Sequence, residues 1–149
     1  MKILNLTPAL TAVALAAAAG FAAAQGAPQV TFVGHEKVAD CAKGGTLVTA
    51  PDLLVQCSNR TGPGVVEVHV KETDILYFID GSATLVTGGT AVNAKAGNNP
   101  LQLRATDITG GDARQVTKGD VVVVPAGIPH WFKEVPKSVS YYVVKVIKP

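Results

Sequence analysis

Short runs of strand-forming residues recur along most of this chain, and turn-forming residues separate them. Val, Ile, Thr, Tyr and Phe fill the runs, whereas Gly, Pro, Asn and Asp lie between them. This alternation predicts strands at residues 29–33, 46–50, 53–58, 64–71, 75–80, 82–87, 90–93, 101–106, 113–117, 120–124, 130–134 and 139–147. One helix is predicted, at about residues 35–43, and Gly44-Gly45 ends it. The pattern indicates an all-β sandwich or barrel with one short N-terminal helix, and it excludes a doubly wound α/β architecture.

Two dipeptides within the strand region have the composition of tight turns. Asp80-Gly81 and Gly88-Gly89 each predict a two-residue hairpin loop. Residues 94–100 (AKAGNNP) are predicted to form a loop. The strands that flank each hairpin signal are therefore expected to pair with one another.

The first 24 residues have the features of a secretory signal peptide. Lys2 supplies a positive charge, an apolar run covers about residues 10–19, and Ala22-Ala23-Ala24 fits a small-residue cleavage site. The apolar run is shorter than the ~20 residues that a membrane-spanning helix needs. We therefore expect a signal peptide at 1–24, a single domain at 25–149, and a periplasmic or secreted protein that leaves the membrane after signal cleavage.

The charged residues give no sign of a nucleic-acid partner. The formal net charge is +2 at pH 7, and Arg and Lys do not cluster along the sequence. The sequence also lacks a nucleophile-elbow motif, a phosphate-binding loop and a dinucleotide-binding fingerprint. Serine hydrolase chemistry and nucleotide-dependent chemistry are therefore disfavoured.

Cys41 and Cys57 are the two cysteines of the chain. An oxidising compartment permits a disulfide between them. Two small buried thiols are the alternative, because free cysteine packs as a small apolar residue. The sequence leaves both possibilities open.

A stiff turn presents a histidine in GDVVVVPAGIPHWFKE, residues 119–134. Residues 121–124 are predicted to form a strand that is buried on both faces. Pro125 and Pro129 cannot continue a central strand, so the chain turns there and His130 opens the next strand. A metal ligand needs such a rigid support, because a loosely held ligand loses geometry and affinity. A lone histidine beside Trp131 is more often a packed, hydrogen-bonded residue, so the turn alone leaves both roles open for His130.

A second group of polar side chains lies in VEVHVKETDILYFIDG, residues 66–81. Glu67, His69 and Lys71 are spaced by two residues, so they share one face of a predicted strand. Asp74 follows at the opening of the next strand. The sequence thus predicts a cluster of imidazole and carboxylate groups.

Together these two stretches resemble the motifs of the cupin family. The second cupin motif is commonly written G-x5-P-x-G-x2-H-x3-N. This chain has Gly119-x5-Pro125-x-Gly127-x2-His130-x3-Glu134, which departs from it only at the last position.

The first cupin motif, G-x5-H-x-H-x(3,4)-E-x6-G, is matched in spacing from residue 67 onward, and two identities change within that part. The chain has Glu67-x-His69-x4-Asp74-x6-Gly81, so Glu67 replaces the first histidine and Asp74 replaces the glutamate. Thr61 stands where the leading glycine is expected.

The resemblance extends over about residues 46–147 and implies a jelly-roll β-barrel or sandwich that binds a metal ion. Carried over by position, the metal ligands are Glu67, His69, Asp74 and His130. Two imidazoles and two carboxylates suit iron, manganese or zinc. The resemblance also implies a homodimer. Residues 88–112 are expected to form an extra hairpin and loop over one edge or the mouth of the barrel.

Two roles stay open within this predicted site. Glu67 is either a metal ligand or a catalytic general base. Lys71, if it points into the barrel, can pair with Glu67 or Asp74 and replace the metal.

The leading functional hypothesis is a metal-dependent enzyme of dioxygenase, isomerase or lyase type that acts on a small molecule. A non-catalytic protein that binds a small ligand or a metal is the alternative. A structural barrel with ion pairs in its interior and no metal is a third possibility, because one architecture hosts many functions.

Overall fold

The computed structural model describes residues 29–149, and Thr31–Pro149 form one compact unit. The predicted signal peptide, 1–24, lies outside the described residues. Within the described part of the chain, no helix is long and apolar enough to cross a membrane.

The described chain is built from β-strands, after one short helical segment. Helix α1 spans His35–Ala39, and a 3-10 turn over Asp40–Lys43 continues it, which confirms the helix predicted at 35–43. The strands are β1 Gly45–Thr49, β2 Leu53–Arg60, β3 Val66–His69, β4 Glu72–Thr87, β5 Thr90–Val92, β6 Lys95–Ala96, β7 Gln102–Ala105, β8 Asp107–Thr109, β9 Asp112–Thr117, β10 Val121–Val124, β11 His130–Glu134 and β12 Val139–Ile147.

Two antiparallel layers share the long strand β4. The first half of β4 pairs with β10 on one side and with β12 on the other. From β12 the layer continues to β2 and then to β1. The second half pairs with β9 and β11, and that layer continues through β3 and β7 to β6. Apolar side chains fill the space between the layers, and the largest fully buried ones are Phe78, Leu85, Val66 and Val139. The predicted all-β jelly-roll sandwich with one short helix is confirmed.

The hairpin predicted at Asp80-Gly81 is wrong, because β4 runs without interruption from Glu72 to Thr87. Gly81 has a φ of +75°, and a Cβ at that position would collide with the carbonyl oxygen of Ser138. The glycine therefore bends the strand from one layer into the other and lets a neighbouring backbone approach closely.

The hairpin predicted at Gly88-Gly89 is also wrong, because β5 pairs with β8 and not with β4. The β5–β8 pair forms a separate two-stranded sheet, whereas β6 and β7 between them join the layer of β3, so residues 88–112 are not one extra hairpin. The strand predicted at 29–33 is absent from the described residues, and the short strands β6 and β8 were not predicted.

The prediction that residues 121–124 are buried on both faces is wrong. Val121 and Val123 are 59% and 56% exposed, whereas Val124 is buried and Val122 packs against the core. The cause is that β10 belongs to an antiparallel layer, and such a layer can leave one face open to solvent.

Cys57 is buried and disulfide-bonded. Of the two possibilities that the sequence left open, the structure thus contains the disulfide.

Candidate metal centre

A cavity of about 190 Å³ lies between the two layers. Side chains from β2, β3, β4, β7, β11 and β12 line it. Its polar part contains all four predicted metal ligands, Glu67, His69, Asp74 and His130. Residues that lie far apart in the sequence therefore meet in one cavity, which is partly open to solvent.

Strand register explains why the predicted ligands meet. Glu67 and His69 alternate with buried valines on β3, so both side chains point into the cavity. His130, at the start of β11, lies directly opposite Glu67. One ligand atom from each of Glu67, His69 and His130 lies within 4.8 Å of the others. This separation is short enough for three groups to surround one ion.

The turn before His130 is hydrogen-bonded to residues of β3 and β4. The amide of Gly127 donates a hydrogen bond of 2.8 Å to the carbonyl oxygen of His69. The amide of Ala126 donates to the hydroxyl of Thr73 at 3.3 Å. The backbone that carries one histidine is thus tied to the backbone that carries the other, which limits their relative motion.

The two histidines are almost fully enclosed. His69 and His130 are 6% and 4% exposed, and their ring centroids are 5.1 Å apart. Burial lowers the pKa of His130 and outweighs the opposing effect of the Asp74 carboxylate, while the neighbouring His69 lowers it further. The ring Nδ1 of His130 lies 3.4 Å from the carbonyl oxygen of Ile128. When Nδ1 carries the proton for this contact, Nε2 keeps a lone pair for a ligand in the cavity.

A lysine that the sequence reasoning missed occupies the acidic side of the site. The Lys145 amino group on β12 lies 2.9 and 3.1 Å from the two carboxylate oxygens of Asp74, and 2.9 Å from Glu72 Oε2. It also lies 3.1 Å from His69 Nε2. Asp74 and Lys145 are register partners on paired strands, which brings their side chains together.

The prediction that Lys71 can enter the barrel is wrong, because Lys71 is exposed. The cation that pairs with Asp74 comes from the far end of the chain instead. The sequence feature that could have identified Lys145 is the alternation in β12. Tyr141, Val143 and Lys145 share the face of that strand that lines the cavity.

Glu72 is a second residue that the sequence reasoning missed. Its Oε2 lies 3.5 Å from His69 Nδ1, and its side chain is 26% exposed. Glu72, His69 and Asp74 form a second group whose ligand atoms lie within 4.8 Å of one another. Glu72 and Asp74 are two residues apart on β4, and that spacing was available as a signal.

The two overlapping groups differ in their suitability for a metal ion. Glu67, His69 and His130 offer two imidazoles and one carboxylate, the donor set of facial-triad iron sites, and it is also compatible with manganese and zinc. The carboxylates of Glu72 and Asp74 already face the Lys145 ammonium. A divalent ion therefore fits best on the Glu67 side of the cavity.

The sequence profile of the cupin family matches residues 42–149. The chain belongs to the cupin family. No protein with a curated description matches the sequence of this cupin significantly.

Solved structures resemble this cupin in fold. The BH2720 protein of Bacillus halodurans is 16% identical, with a TM-score of 0.55, over 85% of this chain and 86% of that one. KdgF from Halomonas sp. is 16% identical, with a TM-score of 0.51, over 71% of this chain and 80% of that one. The cupin domain of Cnp3 from Schizosaccharomyces pombe is 12% identical, with a TM-score of 0.51. That match covers 70% of this chain and 60% of the Cnp3 chain, so this cupin spans less than two thirds of the matched protein.

Proposed function

We propose that this cupin binds one divalent metal ion, iron, manganese or zinc, and a small molecule beside it in the cavity. The observation that carries the proposal is the convergence of Glu67, His69 and His130, whose ligand atoms lie within 4.8 Å of one another. Three such groups aimed at one cavity are typical of a metal site with positions left open for a further ligand.

Asp74 is the fourth proposed ligand, and its role depends on Lys145. Both carboxylate oxygens of Asp74 contact the lysine amino group, at 2.9 and 3.1 Å. Coordination by Asp74 requires at least one of these contacts to lengthen. We therefore expect Glu67, His69 and His130 to bind the metal first. Asp74 would coordinate only after its carboxylate moves away from Lys145.

A bound metal would polarise an oxygen of the small molecule or activate water. Glu67 is proposed as a ligand or as a general base next to that chemistry. Gln102 donates a hydrogen bond of 3.3 Å to Glu67 Oε1 and holds the carboxylate in place. A dioxygenase, isomerase or lyase activity is the leading proposal, and a non-catalytic binding protein with the same cavity is the alternative. Turnover of a bound small molecule separates the two.

One observation favours a second candidate, a barrel with no metal. Lys145 neutralises Glu72 and Asp74 from within the cavity, which is how an ion pair would replace a metal. This candidate and the metal site make opposite predictions for metal content.

Metal analysis of the purified protein tests the proposal. We expect about one equivalent of iron, manganese or zinc per chain after reconstitution, and its loss in His130→Ala. His35→Ala is the matched control, because the His35 side chain is 91% exposed and lies outside the cavity lining. An unchanged metal content in His130→Ala, or no metal in the parent with any of the three ions, would contradict the proposal.

Export to the periplasm or the medium is part of the same proposal. It is supported by the signal-peptide pattern of residues 1–24. N-terminal sequencing of the protein after expression in a Gram-negative host tests it, and a mature chain that starts at Gln25 is expected. An intact leader in the cytoplasmic fraction would contradict it.

A further inference from the structure

Arg60, at the end of β2, is a cation in the cavity wall that lacks a close acidic partner. Its Nη2 atom lies 3.9 Å from Glu67 Oε2, and no other described carboxylate comes within the 4.0 Å limit of an ion pair. Lys145, in contrast, contacts Asp74 and Glu72 at 2.9 Å. Of the two cations in the cavity, Arg60 is therefore the one that retains the capacity to bind an anion.

The Arg60 guanidinium is held in place by neutral groups. Its Nε donates a hydrogen bond of 3.0 Å to the Tyr141 hydroxyl. Its central carbon lies 4.8 Å from the centroid of the Phe132 ring, a cation–π contact. These contacts fix the plane of the group without neutralising its charge. A guanidinium recognises a carboxylate through its terminal nitrogens, and one of them, Nη2, lies 3.9 Å from Glu67 Oε2.

Gly64 provides the space that the guanidinium occupies. A Cβ at Gly64 would lie 2.9 Å from Arg60 Nη1. The glycine itself is fixed against β11, because its amide donates to the Phe132 carbonyl oxygen and its carbonyl oxygen accepts from Trp131 Nε1, both at 2.8 Å. A side chain at Gly64 would therefore displace the guanidinium and leave the surrounding backbone in place.

The charge of the site favours a monoanion as ligand. Glu67, Glu72 and Asp74 contribute three negative charges, and Arg60 and Lys145 contribute two positive ones. A divalent metal changes this balance from one excess negative charge to one excess positive charge. A singly charged anion would bring the formal charge of these groups and the metal to zero, and opposite charges attract within a cleft of this kind.

The cavity has room for a small molecule. The volume of about 190 Å³ corresponds to roughly six water-sized groups at ~30 Å³ each. Leu76, Val143 and Phe132 give part of the wall an apolar surface that suits a short carbon chain.

We infer that the ligand of this site is a small organic monocarboxylate whose carboxylate pairs with Arg60 while its other end faces the metal ligands. The inference rests on the proposed metal site and adds the substrate class to it. It makes Arg60 a residue that determines specificity and leaves metal binding to Glu67, His69, His130 and Asp74.

Calorimetric titration of the manganese-loaded protein with acetate and lactate tests the inference, with acetamide and lactamide as uncharged analogues. We expect the acids to bind with a dissociation constant on the order of 1 mM or tighter, and the amides to bind at least about tenfold more weakly. Arg60→Gln should weaken binding of the acids by about tenfold or more, because it removes a charge-assisted pair, while the metal content is unchanged.

Two further variants make the result specific to the guanidinium. Gly64→Ala keeps the charge of Arg60 but displaces the guanidinium, so it should also weaken acid binding. It replaces Arg60→Gln as the test variant if Arg60→Gln fails to fold. Arg114→Gln removes an exposed arginine from β9 and should leave acid binding unchanged. Metal content and the thermal unfolding midpoint are recorded for every variant.

The outcomes separate this inference from the metal proposal. Acid binding that is equal in the parent, Arg60→Gln and Gly64→Ala would mean that the metal alone holds the carboxylate, and would overturn the inference. Absence of acid binding by a metal-loaded parent would also overturn it. A parent that holds no metal but binds acids through Arg60 would overturn the metal proposal and support the carboxylate subsite.

Discussion

At the scale of single residues, Lys145 places a positive charge where the acidic half of the site would otherwise receive a metal ion. Its side chain is 12% exposed, and that of Asp74 is 5% exposed, so the pair is largely shielded from water. Charges in such a position interact strongly with one another and with any ion that approaches. The lysine is therefore expected to oppose metal binding and to stabilise the metal-free fold.

We predict that Lys145→Met raises metal affinity at least about tenfold, because relief of ~1.4 kcal/mol of charge repulsion is sufficient for that change. The substitution also frees Glu72 and Asp74 to coordinate. The metal-free variant should be less stable by roughly 3–5 kcal/mol, since a buried carboxylate loses its partner. Competition with a chelator measures the affinity, and urea denaturation measures the stability.

Lys71→Met is the control for this prediction, because it removes the same charge from an exposed position. It should change neither quantity appreciably. Equal or lower metal affinity in Lys145→Met would show that the lysine does not compete with the ion.

His130 gives the metal-free protein a stability that depends on pH. Burial lowers its pKa below the ordinary value of 6.5, and His69 adds to that effect, although Asp74 opposes it. The unfolded chain then binds more protons than the folded chain below pH 6.5, so stability is retained above that pH and lost as the pH falls through it. The free energy of unfolding from urea titrations between about pH 8 and pH 5 should fall accordingly.

Substitution of His130 isolates its share of this dependence. His130→Gln should flatten the fall in stability below pH 6.5, whereas His35→Gln, at an exposed position, should retain it. The same slope in His130→Gln and in the parent would assign the effect to other groups.

The residues of the site were predictable to different degrees. Glu67, His69, Asp74 and His130 were identified because the two stretches that contain them resemble the cupin motifs, and all four line the cavity. Lys145 was missed because its position depends on the pairing of β12 with β4, which joins residues 71 apart in the sequence. Local periodicity reports the face of a residue but not its partner on another strand.

At the scale of elements, β4 connects the two layers, and Gly81 makes that connection possible. Its dipeptide with Asp80 has the composition of a hairpin loop, and the left-handed φ of +75° is what such a loop would need. The same backbone freedom serves here to bend a continuous strand. Composition alone predicted a hairpin at Gly81, which is wrong, because the outcome depended on the pairing of β4 with β12 and β9 on either side.

We predict that Gly81→Ala destabilises the fold by roughly 2–5 kcal/mol, because it adds a clash with a neighbouring backbone to the cost of a left-handed φ. The collision is with the carbonyl oxygen of Ser138. Gly119→Ala is the matched control, with a φ of +93° and nothing within 4 Å of the added Cβ. It should cost only about 1–2 kcal/mol, the penalty of the left-handed φ alone. Equal losses in urea denaturation would exclude the backbone contact as a cause.

At the scale of the whole molecule, the outer face of the layer that contains β10 and β4 exposes apolar side chains. Val121, Val123 and Tyr77 are 59%, 56% and 45% exposed, and the Tyr77 ring stacks parallel to that of Tyr142 at a centroid distance of 6.3 Å. Exposed apolar patches on strands favour association, because burying them removes apolar surface from water. This face is therefore the proposed interface of the homodimer expected from the family.

We predict that Val123→Lys converts the dimer to a monomer, because a buried lysine in the centre of an apolar interface lacks a partner. Light scattering coupled to size-exclusion chromatography measures the mass, with Val65→Lys as the control. Val65 is similarly exposed, at 51%, but it lies just before β3 and outside this face. A monomeric parent would contradict the proposed dimer. A Val123→Lys variant that remains dimeric would show that the interface lies on another face of the protein. Since Val123 is not among the residues that line the cavity, we expect the metal content of the Val123→Lys variant to equal that of the parent, so the two predictions can be tested independently.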